Sequence, residues 1–397
     1  MLQSFIVFSF MALSLCALGS VASKKQRYNM AIGVKSNFWT WEITLSLLIF
    51  TFFIGVRFNY GADYLSYLRG YENLQKGVIG LFDFVEFGFA GITRILANAN
   101  AHFAVFFGFW AFVKIFLIYY AVKDERYLLP FIGLLIVLGP HLESMCNGMR
   151  QWVAACIFLY SIKYIVNRKL IAYLLCIFVA YTMHSSAIIL VLFYFLPVNK
   201  KIVSNLYLQV GILLVFVFLG LNPSWAHLLM YLETLIALLG YADEMSILYS
   251  NIGIGSDINF GYYNISLLVV SIITFILFDK IQNAYTDKKL TVLFNLFFIG
   301  MCWYFLFFDA TGIIFRRINI YFMPIMLVLN AYLLVYIKDK IKMKKEYVFL
   351  FILVATLTLG NNFKDVIQSQ KSDFGNRMLY NFFWDFSEEE RRLKRNR

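Results

Sequence analysis

No stretch of this 397-residue chain is polar enough to fold by itself in water. Only 15% of its residues are charged and 61% are hydrophobic, whereas soluble proteins carry about one quarter charged residues. A separate water-soluble domain is excluded on that ground. Metal and disulfide chemistry lack their spacing as well. Cys16, Cys146, Cys156, Cys176 and Cys302 are scattered, mostly inside apolar runs, and His102, His141 and His227 fall into no ligand pattern. No acidic pair has the DxD-like arrangement of a divalent-cation-dependent nucleotide-sugar transferase. No positive charge precedes the apolar stretch "FMALSLCALGS", so a first membrane helix is expected there rather than an export signal. No internal repeat is evident.

What the chain does have is apolar stretches of bilayer-crossing length from one end to the other. Helices are expected over 2–20, 38–56, 101–122, 127–145, 150–166, 170–197, 205–221, 261–278, 290–308, 317–337 and 345–360. The expected fold is an all-α polytopic membrane protein with roughly 11–12 transmembrane helices, short or re-entrant helices among them. One continuous membrane domain covers 1–360, with external connections at about 57–100 and 222–260, and a polar, charged tail fills 361–397. Within the second connection, "PSWAHLLMYLETLIALL" (223–239) reads as an interfacial helix.

Lys and Arg outnumber Asp and Glu by 35 to 23, a net charge of +12. The excess sits in short clusters between apolar runs, which oppose anionic lipid and fix topology; nucleic acid is a poor partner for such a pattern. "KKQR" (24–27), "NRK" (167–169), "NKK" (199–201), "DKIQNAYTDKK" (279–289) and "KDKIKMKKE" (338–346) all favour the cytoplasm. They agree if the amino terminus starts outside and the segment 170–197 enters and leaves on one side. Each limb of that segment has about 13 residues, short for a full crossing. A pair of short tilted helices or a re-entrant hairpin, with His184 at the turn, fits; membranes tolerate a re-entrant turn only beside protein or a cavity. The tail "EEERRLKRNR" then falls outside, against the charge rule.

Four stretches carry candidate chemistry. In "GVRFNYGADYLSYL" (55–68), Arg57 suits a phosphate through its rigid fork. Asp63 suits a proton or a sugar hydroxyl, with Tyr64 and Tyr67 beside it on a helix face; an interfacial belt is the plainer alternative. In "HLESMCNGMRQWVAA" (141–155), Arg150 and Gln151 open a helix. An arginine there opposes the helix dipole, whereas a bound anion would meet both guanidinium and free amides; an ion pair with Glu143 is the plainer alternative. In "YTMHSSAIIL", His184 is either a hydrogen-bonded structural group or a near-neutral base for a hydroxyl. In "FFDATGIIFRRINIYFMPIML" (307–327), Arg316 and Arg317 point about 100° apart, with Tyr321 beyond them. One of the pair faces a cavity, or both reach headgroups with Asp309 as countercharge. Arg57, Arg150, His184 and Arg316/Arg317 all fall at external helix ends under one topology, the pattern of a cationic cavity open to the outside.

At these residues the chain resembles the EpsG-type proteins within the broader O-antigen polymerase (Wzy) group. "GVRFNYGADYLSYL", "MRQWVAACIFLYSIKYIVNRK", "AYTMHSSAIIL" and "RRINIYFM" occur in the family's order, over roughly 50–330. The resemblance implies a GT-C-like polymerase of bacterial surface polysaccharide in the inner membrane. Such an enzyme moves a glycan from undecaprenyl pyrophosphate to the non-reducing end of another lipid-linked repeat unit at the periplasmic face. It needs no metal or cofactor and cooperates with a flippase and a chain-length regulator. The implied roles are pyrophosphate for Arg150 and one of Arg316/Arg317, a second phosphate or cavity structure for Arg57, and the acceptor for His184 or Asp63. Alternative classes are an O-antigen ligase or other polyprenyl-phosphate-dependent transferase, an acetyltransferase, and a flippase or transporter. A transporter would call for polar residues near mid-membrane rather than gathered at one surface.

Overall fold

The apolar runs fold as helices because lipid leaves the backbone no partner but itself. The structure, a computed structural model, describes residues 1–222, 260–307, 317–341, 343–360, 364, 366–367, 378–388 and 390–391. Its helices are α1 (Leu2–Ala31), α2 (Trp41–Val56), α3 (Tyr64–Gln75), α4 (Phe87–Asn98), α5 (Phe103–Ala121), α6 (Leu129–Leu138), α7 (His141–Asn147), α8 (Met149–Val166), α9 (Leu170–Met183), α10 (Leu206–Leu221), α11 (Tyr262–Tyr285), α12 (Lys288–Leu306), α13 (Met323–Ile341) and α14 (Glu346–Leu359). Among the described residues five helices are long and apolar enough to cross a membrane, or six if the bent pair Arg126–Leu138 and His141–Asn147 is counted as one span. Shorter apolar helices, α2, α9, α10 and α14 with a 3-10 segment at Ser185–Phe195, fill out the bundle. The protein is an all-α polytopic membrane protein.

Several expected elements take a more specific form. The first helix runs on to Ala31, so "KKQR" lies on its last turns. The expected helix over 127–145 is broken at Gly139–Pro140 and bent by 65°; proline there has no N–H to continue the ladder. The connection at 57–100 contains two short helices, α3 and α4. The interfacial helix expected at 223–239 lies outside the described residues.

The basic clusters converge on one end. Gln26 at the end of α1 donates to the Lys123 carbonyl at 3.0 Å and accepts from the Arg126 N–H at 2.9 Å. Lys289 reaches Glu125 at 2.6 Å, Tyr285 reaches Asp339 at 3.3 Å, and Lys201 pairs with Asp279 at 2.6 Å. The loops that the charge rule assigns to the cytoplasm therefore touch one another. Arg57, Arg150 and His184 lie at the opposite helix ends.

The segment 170–195 is a hairpin. Arg168 donates to the Tyr194 and Leu196 carbonyls at 2.8 Å each, and Tyr173 on α9 donates to the Leu190 carbonyl at 2.5 Å. The returning limb is an unusually long 3-10 run of 11 residues, against 14 in α9. At 2.0 and 1.5 Å per residue the limbs measure about 22 and 21 Å. Stretching the shorter limb into 3-10 form lets it match the longer one. Both are short against a hydrocarbon core of about 30 Å, and together they return the chain to the end from which it entered.

Part of the carboxyl-terminal stretch returns to the bundle as a strap. Strand β1 (Arg57–Phe58) pairs antiparallel with β2 (Asn381–Phe382), in register Arg57 with Phe382. Tyr380 is fully buried, its hydroxyl donating to the Phe53 carbonyl at 2.7 Å and its N–H to Ser4 Oγ at 2.9 Å. Ser4 and the strap therefore lie together at the Arg57 end, which requires an even number of passes between them. The strap thus sits at the end where the helix order puts it, opposite the basic loops. Cysteines replacing exposed Trp384 and Lys200 are expected to react with impermeant maleimide from opposite faces of the membrane in oriented vesicles. Labelling of both from one face would break this arrangement.

Candidate functional site

The site begins with a turn. After α2 the backbone leaves helical geometry at Arg57, and Asn59 and Gly61 take φ of 53° and 99°. Asparagine tolerates the first value, and the second belongs to glycine. A β-carbon on Gly61 would sit 2.6 Å from Asn147 Oδ1, so the turn after α2 is seated against the end of α7. Asn147 itself donates to Glu143.

This turn encloses Arg57. Its side chain is 1% exposed, donates to the Ile54 and Tyr60 carbonyls, and lies 4.0 Å from Met149 Sδ. The guanidinium carbon stands 4.5 Å from the Phe107 ring centre and 5.4 Å from that of Tyr64, and those two rings stack at 4.6 Å. Cation–π contact of this kind steadies a charge away from water. Arg57 and Tyr64 thus form a packed wall beneath the start of α8. Lys114 joins that wall from α5, 2% exposed, its ammonium donating to the Met145 carbonyl at 2.6 Å. Nothing in its apolar surroundings marked it in the sequence.

In front of the wall five stretches meet. Arg150, on the first turn of α8, forms an ion pair with Glu86, and Tyr67 on α3 lies against the same guanidinium. Glu86 precedes α4, where its other oxygen accepts from the Ser185 N–H at 2.7 Å and the Ser185 hydroxyl at 3.1 Å. At the hairpin tip His184 is extended (φ −158°, ψ 121°), and its Nδ1 lies 2.8 Å from Ser186 Oγ. Ser186 Oγ is also 2.8 Å from the Tyr321 hydroxyl, which stands 3.4 Å from His184 Nδ1. Gln151 donates to the Arg317 carbonyl at 2.8 Å, and the Arg317 side chain is exposed but close enough for its charge to act on His184.

Of the residues singled out in the sequence, Tyr67, Arg150, Gln151, His184, Arg317 and Tyr321 come together. Asp63 is exposed at the start of α3 and its charge reaches Tyr67. Arg57 and Tyr64 lie behind the cluster. Arg316 and Asp309 lie outside the described residues. The carboxylate on Arg150 is Glu86, and Glu143 is occupied by Asn147. Glu86, Ser185 and Ser186 were missed. The serines follow the histidine directly and belong to the same tip, but no local pattern connects Glu86 with an arginine 64 residues away. Among the described residues no group of three His, Cys, Asp or Glu is placed to hold a metal.

The electrostatics favour an ionised Glu86. Burial pushes its carboxyl up, but the Ser185 N–H and the Arg150 charge outweigh that and hold it below the usual carboxylate range. The pair's stabilisation is therefore complete above the ordinary glutamate value and is lost as pH falls through the depressed one. Arg150→Gln leaves that carboxylate without its cation and is expected to lower the unfolding free energy by about 3 kcal/mol at neutral pH. The difference from wild type should shrink on acidification through the carboxylate range, read by denaturation in detergent. A pH-independent difference would remove Glu86 as the relevant partner.

The packing has a matching requirement: a β-carbon on Gly88 would collide with Thr182 of the hairpin, so α4 rests directly on the tip it serves. No curated protein and no solved structure matches the chain. A family model matches residues 40–374, most of its length and every described residue of the site. The chain belongs to the EpsG family.

Proposed function

We propose that the protein is a polysaccharide polymerase of the inner membrane, acting on glycan carried by undecaprenyl pyrophosphate at the periplasmic face. The observation that carries this reading is the meeting of Arg150, Arg317, His184 and Tyr321, from distant parts of the chain, at the end opposite the basic loops. The one-sided basic loops support an outward-facing site. A hairpin tip between two short limbs suits a substrate whose lipid stays in the bilayer while its diphosphate reaches the headgroup region.

In the proposed reaction a hydroxyl at the non-reducing end of one lipid-linked repeat unit attacks the anomeric carbon of the glycan on another. The new glycosidic C–O bond forms as the bond to pyrophosphate breaks, and its electron pair leaves with undecaprenyl pyrophosphate. Arg150 and Arg317 offset the charge that develops on that leaving group. His184, whose Nδ1 is engaged by Ser186 and Tyr321, has Nε2 left to take the proton of the attacking hydroxyl. Tyr67 and Gln151 orient Arg150 and the Arg317 main chain, Arg57 supports the floor, and Asp63 is placed for a sugar hydroxyl. A flippase supplying repeat units and a chain-length regulator are the expected partners, and no cofactor is called for.

The test is glycan length in a null strain complemented with variants. Arg150→Ala and Arg317→Ala are each expected to slow chain extension about 100-fold or more, the usual cost of losing one charge-stabilising donor. His184→Ala should leave only short products while the protein stays in the membrane. Full-length chains from Arg150→Ala, or lipid-linked single repeats that still polymerise without the protein, would end the proposal.

A further inference from the structure

Glu86 is held by an unusual set of donors for a surface glutamate. One oxygen takes both the N–H and the hydroxyl of Ser185, at 2.7 and 3.1 Å, and the other takes the Arg150 guanidinium. A main-chain amide, a hydroxyl and an arginine fork converging on two anionic oxygens form the donor set that binds phosphate. The set is also incompletely used. Arg150 Nε is buried and makes no hydrogen bond among the described residues, so a group with more oxygens than a carboxylate has a further donor to reach. Ser185 is exposed, and the cradle is accessible from the outer end.

We propose that Arg150 and Ser185 form an oxyanion cradle for a substrate phosphate, and that Glu86 is its resident occupant, displaced when phosphate arrives. This rests on the polymerase reading for the identity of the ligand, a lipid-linked pyrophosphate, but not for the cradle itself. In the exchange one anion replaces another, so Arg150 is never left without a countercharge in a half-buried place. No bond to the backbone of α4 has to break, because Glu86 precedes the helix and withdraws by rotation of its own side chain. The competition lowers affinity for pyrophosphate, and its benefit comes after glycan transfer. Return of Glu86 expels the undecaprenyl pyrophosphate that would otherwise remain on two arginines.

Binding of inorganic pyrophosphate to the full chain in detergent, followed by titration calorimetry, tests the exchange. Glu86→Asp keeps the charge but shortens its reach, and aspartate is favoured at a helix start, so α4 is retained. This variant is expected to bind pyrophosphate about tenfold more tightly than wild type, the equivalent of about one charge-assisted hydrogen bond no longer competed for. Glu86→Gln should bind at least as tightly as Glu86→Asp. Asp83→Asn, an equal charge change three residues earlier, should leave affinity unchanged, and adding Arg150→Gln to Glu86→Asp should abolish the gain. Equal or weaker binding by Glu86→Asp, or an equal gain from Asp83→Asn, would overturn the cradle. The glycan gel separates the two ideas. Tightened binding in a protein that makes no polymer sinks the polymerase reading alone, and polymer formation without tightened binding sinks the cradle alone.

Discussion

One carboxylate joins the parts of this protein that the chain keeps far apart. Glu86 ties the short helices α3 and α4 to the start of α8 through Arg150 and to the hairpin tip through Ser185. Without it, a guanidinium would stand half-buried with no countercharge among the described residues, and the tip of a membrane hairpin would present an unpaired N–H. The first is a costly state; the second costs less, because Ser185 is exposed. Meeting both needs with one side chain fixes the height of the tip, the start of α4 and the direction of Arg150 together. The adjoining His184–Ser186–Tyr321 contacts inherit that geometry, because they hang from the same tip.

Two kinds of cation are separated along the bundle. At one end Lys289 pairs with Glu125 and Lys201 with Asp279, and the basic clusters there serve topology. The cations at the other end occupy helix starts and packed interiors. Among them, Arg57 and Lys114 are buried against carbonyl oxygens and aromatic rings, while Arg150 and Arg317 stand toward the outside. Carbonyl dipoles and ring faces are adequate partners for the inner pair because neither has to exchange ligands. The outer pair is where an incoming anion finds guanidinium groups within reach.

Much of the fold was legible because membranes simplify the code. Long apolar runs must become helices, and clustered basic residues mark one side. The hairpin was legible for a similar reason: limbs too short to cross, with a histidine between them, leave few alternatives. The strap was not, since "LYNFFWDF" carries no periodicity that names Arg57 and Phe58 as its strand partners. Nor was the enclosure of Arg57 by Phe107 and Tyr64, which depends on how α5 packs against the turn at Gly61.

Composition, run length and charge placement by themselves made this chain an all-helical membrane protein, with one basic end and arginines at the other, because each of those properties acts locally or through the bilayer. Which carboxylate faces Arg150, which arginine is walled in and which end receives the carboxyl terminus were decided only when the helices packed. The Glu86–Arg150 and Phe53–Tyr380 pairings join residues separated by 64 and 327 positions, and at such separations no periodicity constrains a side chain; the shape of the packed bundle does.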